Sequence, residues 1–134
     1  MTKITDIEGI GPAKAEKLVG VGVRSVEALL ERGKTKKGRK ELATTTGLSE
    51  KEILSWVNMA DLFRIRGIGE EYSELLEAAG VDTVVELSKR VSANLHKKMA
   101  EVNEAKKLVR QLPTEKQVAS WVEQAKALER VVQY

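Results

Sequence analysis

Residues 48–69 read LSEKEILSWVNMADLFRIRGIG, an amphipathic helix running into a glycine turn. Ser49-Glu50-Lys51-Glu52 is a capping box, in which the Ser49 hydroxyl and the Glu52 carboxylate each satisfy a backbone N–H that the first helical turn leaves open. Ile53, Trp56, Val57, Ala60 and Phe63 then recur at helical spacing, and Leu54, Leu62 and Ile65 widen the apolar face. The spacing predicts a helix over residues 49–66, buried on two sides. Gly67-Ile68-Gly69 ends it, because glycine adopts positive φ without a Cβ clash, and a further helix is expected over Glu70 to Ala79.

Both ends of this stretch occur twice. Ile7-Glu8-Gly9-Ile10-Gly11 aligns with Ile65-Arg66-Gly67-Ile68-Gly69 at an offset of 58 residues, and the register continues with Leu18 on Leu76, Gly22 on Gly80, Val23 on Val81, Val26 on Val84 and Leu29 on Leu87. The helix start, Ser49 to Val57, aligns with Thr114-Glu115-Lys116-Gln117-Val118-Ala119-Ser120-Trp121-Val122 at an offset of 65. The chain therefore reads as two tandem copies of a small helical module, the second longer by a seven-residue insertion.

With 134 residues the chain is long enough to bury a substantial core. A charged fraction of 32% beside 42% hydrophobic residues excludes a disordered chain. No apolar run approaches membrane-spanning length, and residues 1–20 lack the apolar stretch of a secretory signal. The absence of cysteine excludes thiolate chemistry and fits a reducing, cytoplasmic setting, and a single histidine, His96, argues against a metal centre built on imidazoles. No cofactor is expected.

The net charge of +3 is mildly basic, and its distribution is uneven. Residues 1–60 hold 11 Lys and Arg against 8 Asp and Glu, whereas residues 61–134 hold 12 of each. Lys34, Lys36, Lys37, Arg39 and Lys40 crowd around Gly38. This run reads either as a solvated loop leading into a helix or as a patch that contacts phosphates.

In chain order, residues 1–6 leave room only for a turn. Pro12 at the first helical position opens a helix through Ala15 and Leu18 to a Gly20/Gly22 stop. Arg24 or Ser25 opens a short helix over Val26 to Glu31, and Lys40 to Thr45 forms another piece ending near Gly47, weakened by Thr44, Thr45 and Thr46. In the second copy Asp82 is a natural N-cap for Thr83 to Lys89, Ser92 caps a helix over Ala93 to Leu112, and Pro113 ends it. Thr114 to Gln117 forms a second capping box, and Val118, Trp121, Val122, Ala125 and Leu128 supply a buried stripe. No segment alternates with a period of two, so no β-sheet is expected. Val131, Val132 and Tyr134 form a tail able to pack.

Gly9-Ile10-Gly11-Pro12-Ala13-Lys14-Ala15-Glu16-Lys17-Leu18 resembles the helix-hairpin-helix motif, in which a glycine-hydrophobic-glycine turn is followed by a small residue and then an aliphatic one. Ala15 and Leu18 take those places in the first copy, Ser73 and Leu76 in the second. The chain as a whole resembles a family of tandem helix-hairpin-helix proteins defined only as a domain of unknown function. The resemblance implies an all-α protein of two helix-hairpin-helix units, a SAM-domain-like helical bundle, with residues 1–66 as the first unit, 49–134 as the second and the central helix shared within one compact domain.

Helix-hairpin-helix proteins commonly bind duplex DNA without sequence preference. Here the resemblance puts Gly9, Ile10, Gly11 and Ala13 against a phosphate, with Lys14 and Lys17 adding charge and the basic residues Lys34, Lys36, Lys37, Arg39 and Lys40 extending the contact. Such contacts reach the sugar-phosphate chain only, so binding is expected to be weak, salt-sensitive and indifferent to sequence. Gly67, Ile68 and Gly69 are expected to form a structural hairpin with at most a weak phosphate contact, because Glu70 and Glu71 occupy the field a phosphate would use. The alternative is a protein-interaction or scaffolding module on the same fold. Trp56 and Trp121 read as core, and Asp82, which lies downstream of the second hairpin as a catalytic aspartate does in glycosylases that use this motif, is better explained as an N-cap with no lysine nucleophile beside it. An enzyme is not expected.

Overall fold

The computed structural model describes residues 2–134. They are all-helical, with no strand and a single isolated bridge between Lys3 and Ser25. The eight helices are α1 (Pro12–Gly20), α2 (Val26–Gly33), α3 (Lys36–Thr46), α4 (Glu50–Leu62), α5 (Glu70–Ala78), α6 (Val84–Ser88), α7 (Ser92–Lys106) and α8 (Glu115–Ala127). The chain divides into two compact units. One runs to Asp61 and takes in Val131–Tyr134, and the other covers Leu62–Arg130.

The offset of 58 seen in the sequence is an offset in hydrogen bonds. In the first unit Ile7 N donates to Ile4 O at 3.2 Å and Ile10 N to Ile7 O at 3.1 Å; in the second, Ile65 N donates to Leu62 O and Ile68 N to Ile65 O at 3.1 and 3.2 Å. After the next helix Val23 N returns to Leu18 O at 2.9 Å, as Val81 N does to Leu76 O at 2.8 Å. Ser25 Oγ then caps α2 by accepting from Ala28 N, and Thr83 Oγ1 caps α6 by accepting from Glu86 N. The leading residues, expected to form only a turn, make a short 3-10 helix, Ile4–Asp6. It is the counterpart of the bend at residues 62–64.

That bend corrects the extent of the central helix. α4 ends at Leu62 and not at Arg66, because the paired reversals that build the glycine turn begin there. Its start is as expected, with Glu52 N donating to Ser49 Oγ at 3.1 Å. Thr114 and Gln117 complete the reciprocal capping box of α8.

Four other boundaries differ from expectation. α3 begins at Lys36, so the basic run from Lys36 to Lys40 is helical and not a loop, and only Lys34 lies between helices. Thr35 Oγ1 caps it by accepting from Gly38 N at 3.0 Å, and Gly38 is tight against α2, where a β-carbon would stand 2.1 Å from Arg32 O. Thr83, not Asp82, caps α6, because Thr83 is still extended with φ −136° and ψ 164°. Ser92 is the first residue of α7 and not its cap. α7 stops at Lys106, short of Leu112, where Lys107 takes φ 52°. There the Asn103 side chain replaces helix hydrogen bonds, accepting from Val109 N at 2.9 Å and donating to Val109 O at 3.2 Å. The seven-residue insertion thus goes mostly into the passage from α7 to α8, residues 107–114 against 47–49 between α3 and α4, and otherwise into a longer end of α7.

In the first unit Ile7, Leu18, Leu29, Leu42, Ile53 and Val57 are fully enclosed. The tail closes on this unit: Val132 is buried, Gln133 N donates to Lys34 O at 2.7 Å, and the Tyr134 hydroxyl donates to Asn58 Oδ1 at 2.9 Å. In the second, Leu62, Ile65, Ile68, Leu76, Leu87, Leu95, Met99 and Trp121 belong to one cluster, with Tyr72 and Leu112 packed on it. Among the described residues no helix is long and apolar enough to cross a membrane.

Candidate nucleic-acid interface

The first glycine turn is held from below and open above. Ile7 and Ile10 are buried, so Ile10 is able to offer only its backbone outward. Gly9, with φ +94°, and Gly11 are exposed. Gly11 is the N-cap of α1 but supplies no side-chain acceptor, Pro12 has no N–H, and a β-carbon on Gly11 would meet nothing within 4 Å. The first turn of α1 carries no acidic residue. Its remaining N–H groups, beginning at Ala13, therefore point toward solvent at the positive end of the helix dipole.

Most other helices are capped from within. Ser25, Thr35, Ser49, Thr83 and Thr114 each place a side-chain oxygen on a helix start. α1 and α5, the two helices that follow a glycine turn, lack such a cap, as does α7.

The lysines of the first unit meet different fates. Lys14 is half-buried, its ammonium bonded to Glu52 Oε2 and lying 5.5 Å from the centre of the Trp56 ring. The Lys14 hydrogen bond holds the Glu52 carboxyl below its ordinary value, helped by Ser49. A carboxylate with a depressed pKa adds stability above its unfolded pKa and loses it as the pH falls through the folded value. Acidification through and below the usual carboxylate range is therefore expected to release Lys14, and a change in Trp56 fluorescence that Glu52→Gln abolishes checks it. Lys17 is exposed one turn further along α1.

Lys36, Lys37 and Lys40 are exposed on the first turns of α3. Lys34 pairs with Glu31 at 2.8 Å. Arg39, expected among the phosphate ligands, is 5% exposed. Its guanidinium donates to Gly33 O at 2.8 Å and Gln133 O at 2.7 Å and lies 6.0 Å from the Tyr134 ring centre, so it fastens the tail and the α2–α3 corner. Lys36 and Arg39 share a cleft with Glu50, Lys51, Leu54 and Tyr134. On α4, at about 100° per residue, Glu52 stands roughly half a turn from the face shared by Glu50, Lys51 and Leu54. The glycine turn and the α3 lysines thus lie beside different faces of α4.

The second glycine turn has the same backbone with different chemistry. Gly67, at φ +99°, and Gly69 are exposed and Ile68 is buried. The first turn of α5 carries Glu70 and Glu71. The amide side chain of Gln124 occupies both backbone groups of Arg66, accepting from its N–H at 2.8 Å and donating to its carbonyl at 3.1 Å. Tyr72 takes the place of Lys14 and packs on Trp121 at 5.3 Å between ring centres.

The two tryptophans lie in the core as expected and share a second feature. Trp56 and Trp121 are 4% and 2% exposed, and each brings its indole nitrogen to the positive-φ glycine of its own unit. A β-carbon on Gly9 would stand 3.2 Å from Trp56 Nε1, and one on Gly67 would stand 2.8 Å from Trp121 Nε1. The signal was present, since both Trp and Gly repeat, but the pairing joins positions 47 and 54 residues apart. Of the remaining residues, Asp82 is exposed. His96 Nε2 donates to Pro113 O at 2.9 Å, which requires that nitrogen to be protonated.

These features define an all-helical protein of two repeated units, each a glycine turn backed by a buried tryptophan. The chain belongs to the family described as a domain of unknown function, DUF4332, whose model matches residues 8–128 and so takes in both turns and both tryptophans. No curated protein and no solved structure matches the chain.

Proposed function

We propose that the two units are helix-hairpin-helix units and that the protein is a non-enzymatic, cytoplasmic module binding the sugar-phosphate backbone of duplex DNA without sequence preference. The observation that carries the reading is the open amino end of α1. Gly11 provides no cap, no acid occupies the first turn, and nothing stands over the glycine. Backbone N–H groups at a helix start are complementary to a phosphate oxygen, and exposed Lys17, Lys36, Lys37 and Lys40 add charge in the same unit. Arg39 is left out of the interface because it is buried and donates to Gly33 O and Gln133 O.

The test is a titration of isotopically labelled protein with a short DNA duplex at low and near-physiological salt, read from backbone amide shifts. Shifts at Gly9 to Lys17, lost as salt rises, are the expected result, with a slope of roughly −0.9 in log affinity against log salt for each phosphate neutralised. Lys17→Glu and Lys36→Glu should each weaken binding and flatten that slope. An absence of shifts at low salt would retire the reading.

A protein-interaction role is favoured by one feature of the second unit. Glu70 and Glu71 place carboxylates on the start of α5, which suits a cationic partner and opposes a phosphate.

A further inference from the structure

Each glycine turn carries a hydrogen-bond donor that the protein itself does not use. Among the described residues no hydrogen bond involves the Trp56 or Trp121 indole nitrogen, yet no side-chain nitrogen or oxygen is both fully buried and unpartnered. Each nitrogen therefore reaches the surface at the edge of its ring nearest the glycine, while the rest of the side chain is enclosed. An indole N–H donates only, and a largely buried tryptophan normally gives it a partner.

We infer that the Trp56 indole N–H is a donor of the phosphate site at the first glycine turn, binding a phosphodiester oxygen together with the open backbone N–H groups of α1; this rests on the DNA reading above. The groups around that nitrogen fit an acceptor-only ligand. Gly9 leaves the approach free of a side chain, the α1 start offers N–H groups, and the Lys14 ammonium lies over the same ring. Of the neighbouring carboxylates, Glu52 is spent on Lys14 and Ser49, and Glu8, beside Gly9, is exposed to solvent. In the second unit the indole is retained but its surroundings are not. Tyr72 replaces Lys14 and donates its hydroxyl to Gln111 O at 3.1 Å, and Glu70 and Glu71 stand in the first turn of α5. Only the first of the two nitrogens is placed for an anion.

Two tryptophans give two indole N–H signals, so the chain contains its own control. The labelled full chain is titrated with a short DNA duplex and, separately, with inorganic phosphate. With the duplex, the Trp56 indole proton should move downfield together with the amides of Gly9 to Lys17 while that of Trp121 stays. Trp56→Phe, which keeps a ring and removes the donor, should weaken duplex binding about tenfold, the equivalent of one charge-assisted hydrogen bond. Trp121→Phe should leave it unchanged. If the amides shift with an unmoved Trp56 indole, or if Trp56→Phe binds as wild type, this inference falls and the DNA reading stands. A response to inorganic phosphate without one to the duplex overturns it as well, because the site then serves a free anion. If nothing binds the duplex or phosphate, both fall. Should Trp56→Phe fail to fold, the wild-type indole signal decides.

Discussion

Gly67→Val is expected to lower the stability of the second unit by about 3 kcal/mol or more, from two causes that add at one position. At φ +99° a β-branched residue is held outside the backbone region open to it, which costs on the order of 1–3 kcal/mol. Its β-carbon would also stand 2.8 Å from Trp121 Nε1, and moving a buried indole in a packed core costs on the order of 1–3 kcal/mol more. For a domain of this size each 1 kcal/mol lowers the melting temperature by about 4–8 °C. Thermal or urea unfolding of the variant gives the answer. An unchanged midpoint would mean that Gly67 does not close the turn.

Trp121→Ala should cost about 3–5 kcal/mol, the range for truncating a large buried aromatic. The side chain is 2% exposed, packs against Tyr72 with the rings tilted by 50° and fills the space behind the turn. Because the two variants meet at one contact, their costs should not add. With the indole gone, Gly67→Val retains its backbone penalty but loses its clash, so it should cost less in the Trp121→Ala background than in wild type. Equal costs in both would show that the tryptophan and the glycine do not press on each other.

The elements most legible in the sequence are those decided within a few residues. Ser49 and Thr114 act on N–H groups three positions away, and Gly-Ile-Gly states its turn in place. The ends of α4 and α7 were not legible in this way. Apolar spacing continues past Leu62 to Ile65, but the residues from Leu62 on are used for the reversal, and nothing in the periodicity marks that change. Likewise Asn103 reads as an ordinary helical residue until its amide is found on both backbone groups of Val109. Asp82 and Thr83 are both good caps. Which of them serves depends on where the chain enters α6.

The candidate site was legible as a turn and illegible as an electrostatic surface. A run of five cations from Lys34 to Lys40 looks uniform in sequence, yet three point to solvent, Lys34 pairs with Glu31 and Arg39 is buried beneath the tail. Sequence alone determined the helical class, the duplication and the two glycine turns, because helix periodicity, capping and positive φ are properties of neighbouring residues. Only the tertiary structure decided that Lys14 is bonded to Glu52, that Arg39 serves Gly33 and Gln133, and that Trp56 and Trp121 back Gly9 and Gly67. Whether a charge or an N–H is spent or free depends on which distant groups the fold brings within hydrogen-bonding reach and on how much water it removes from between them.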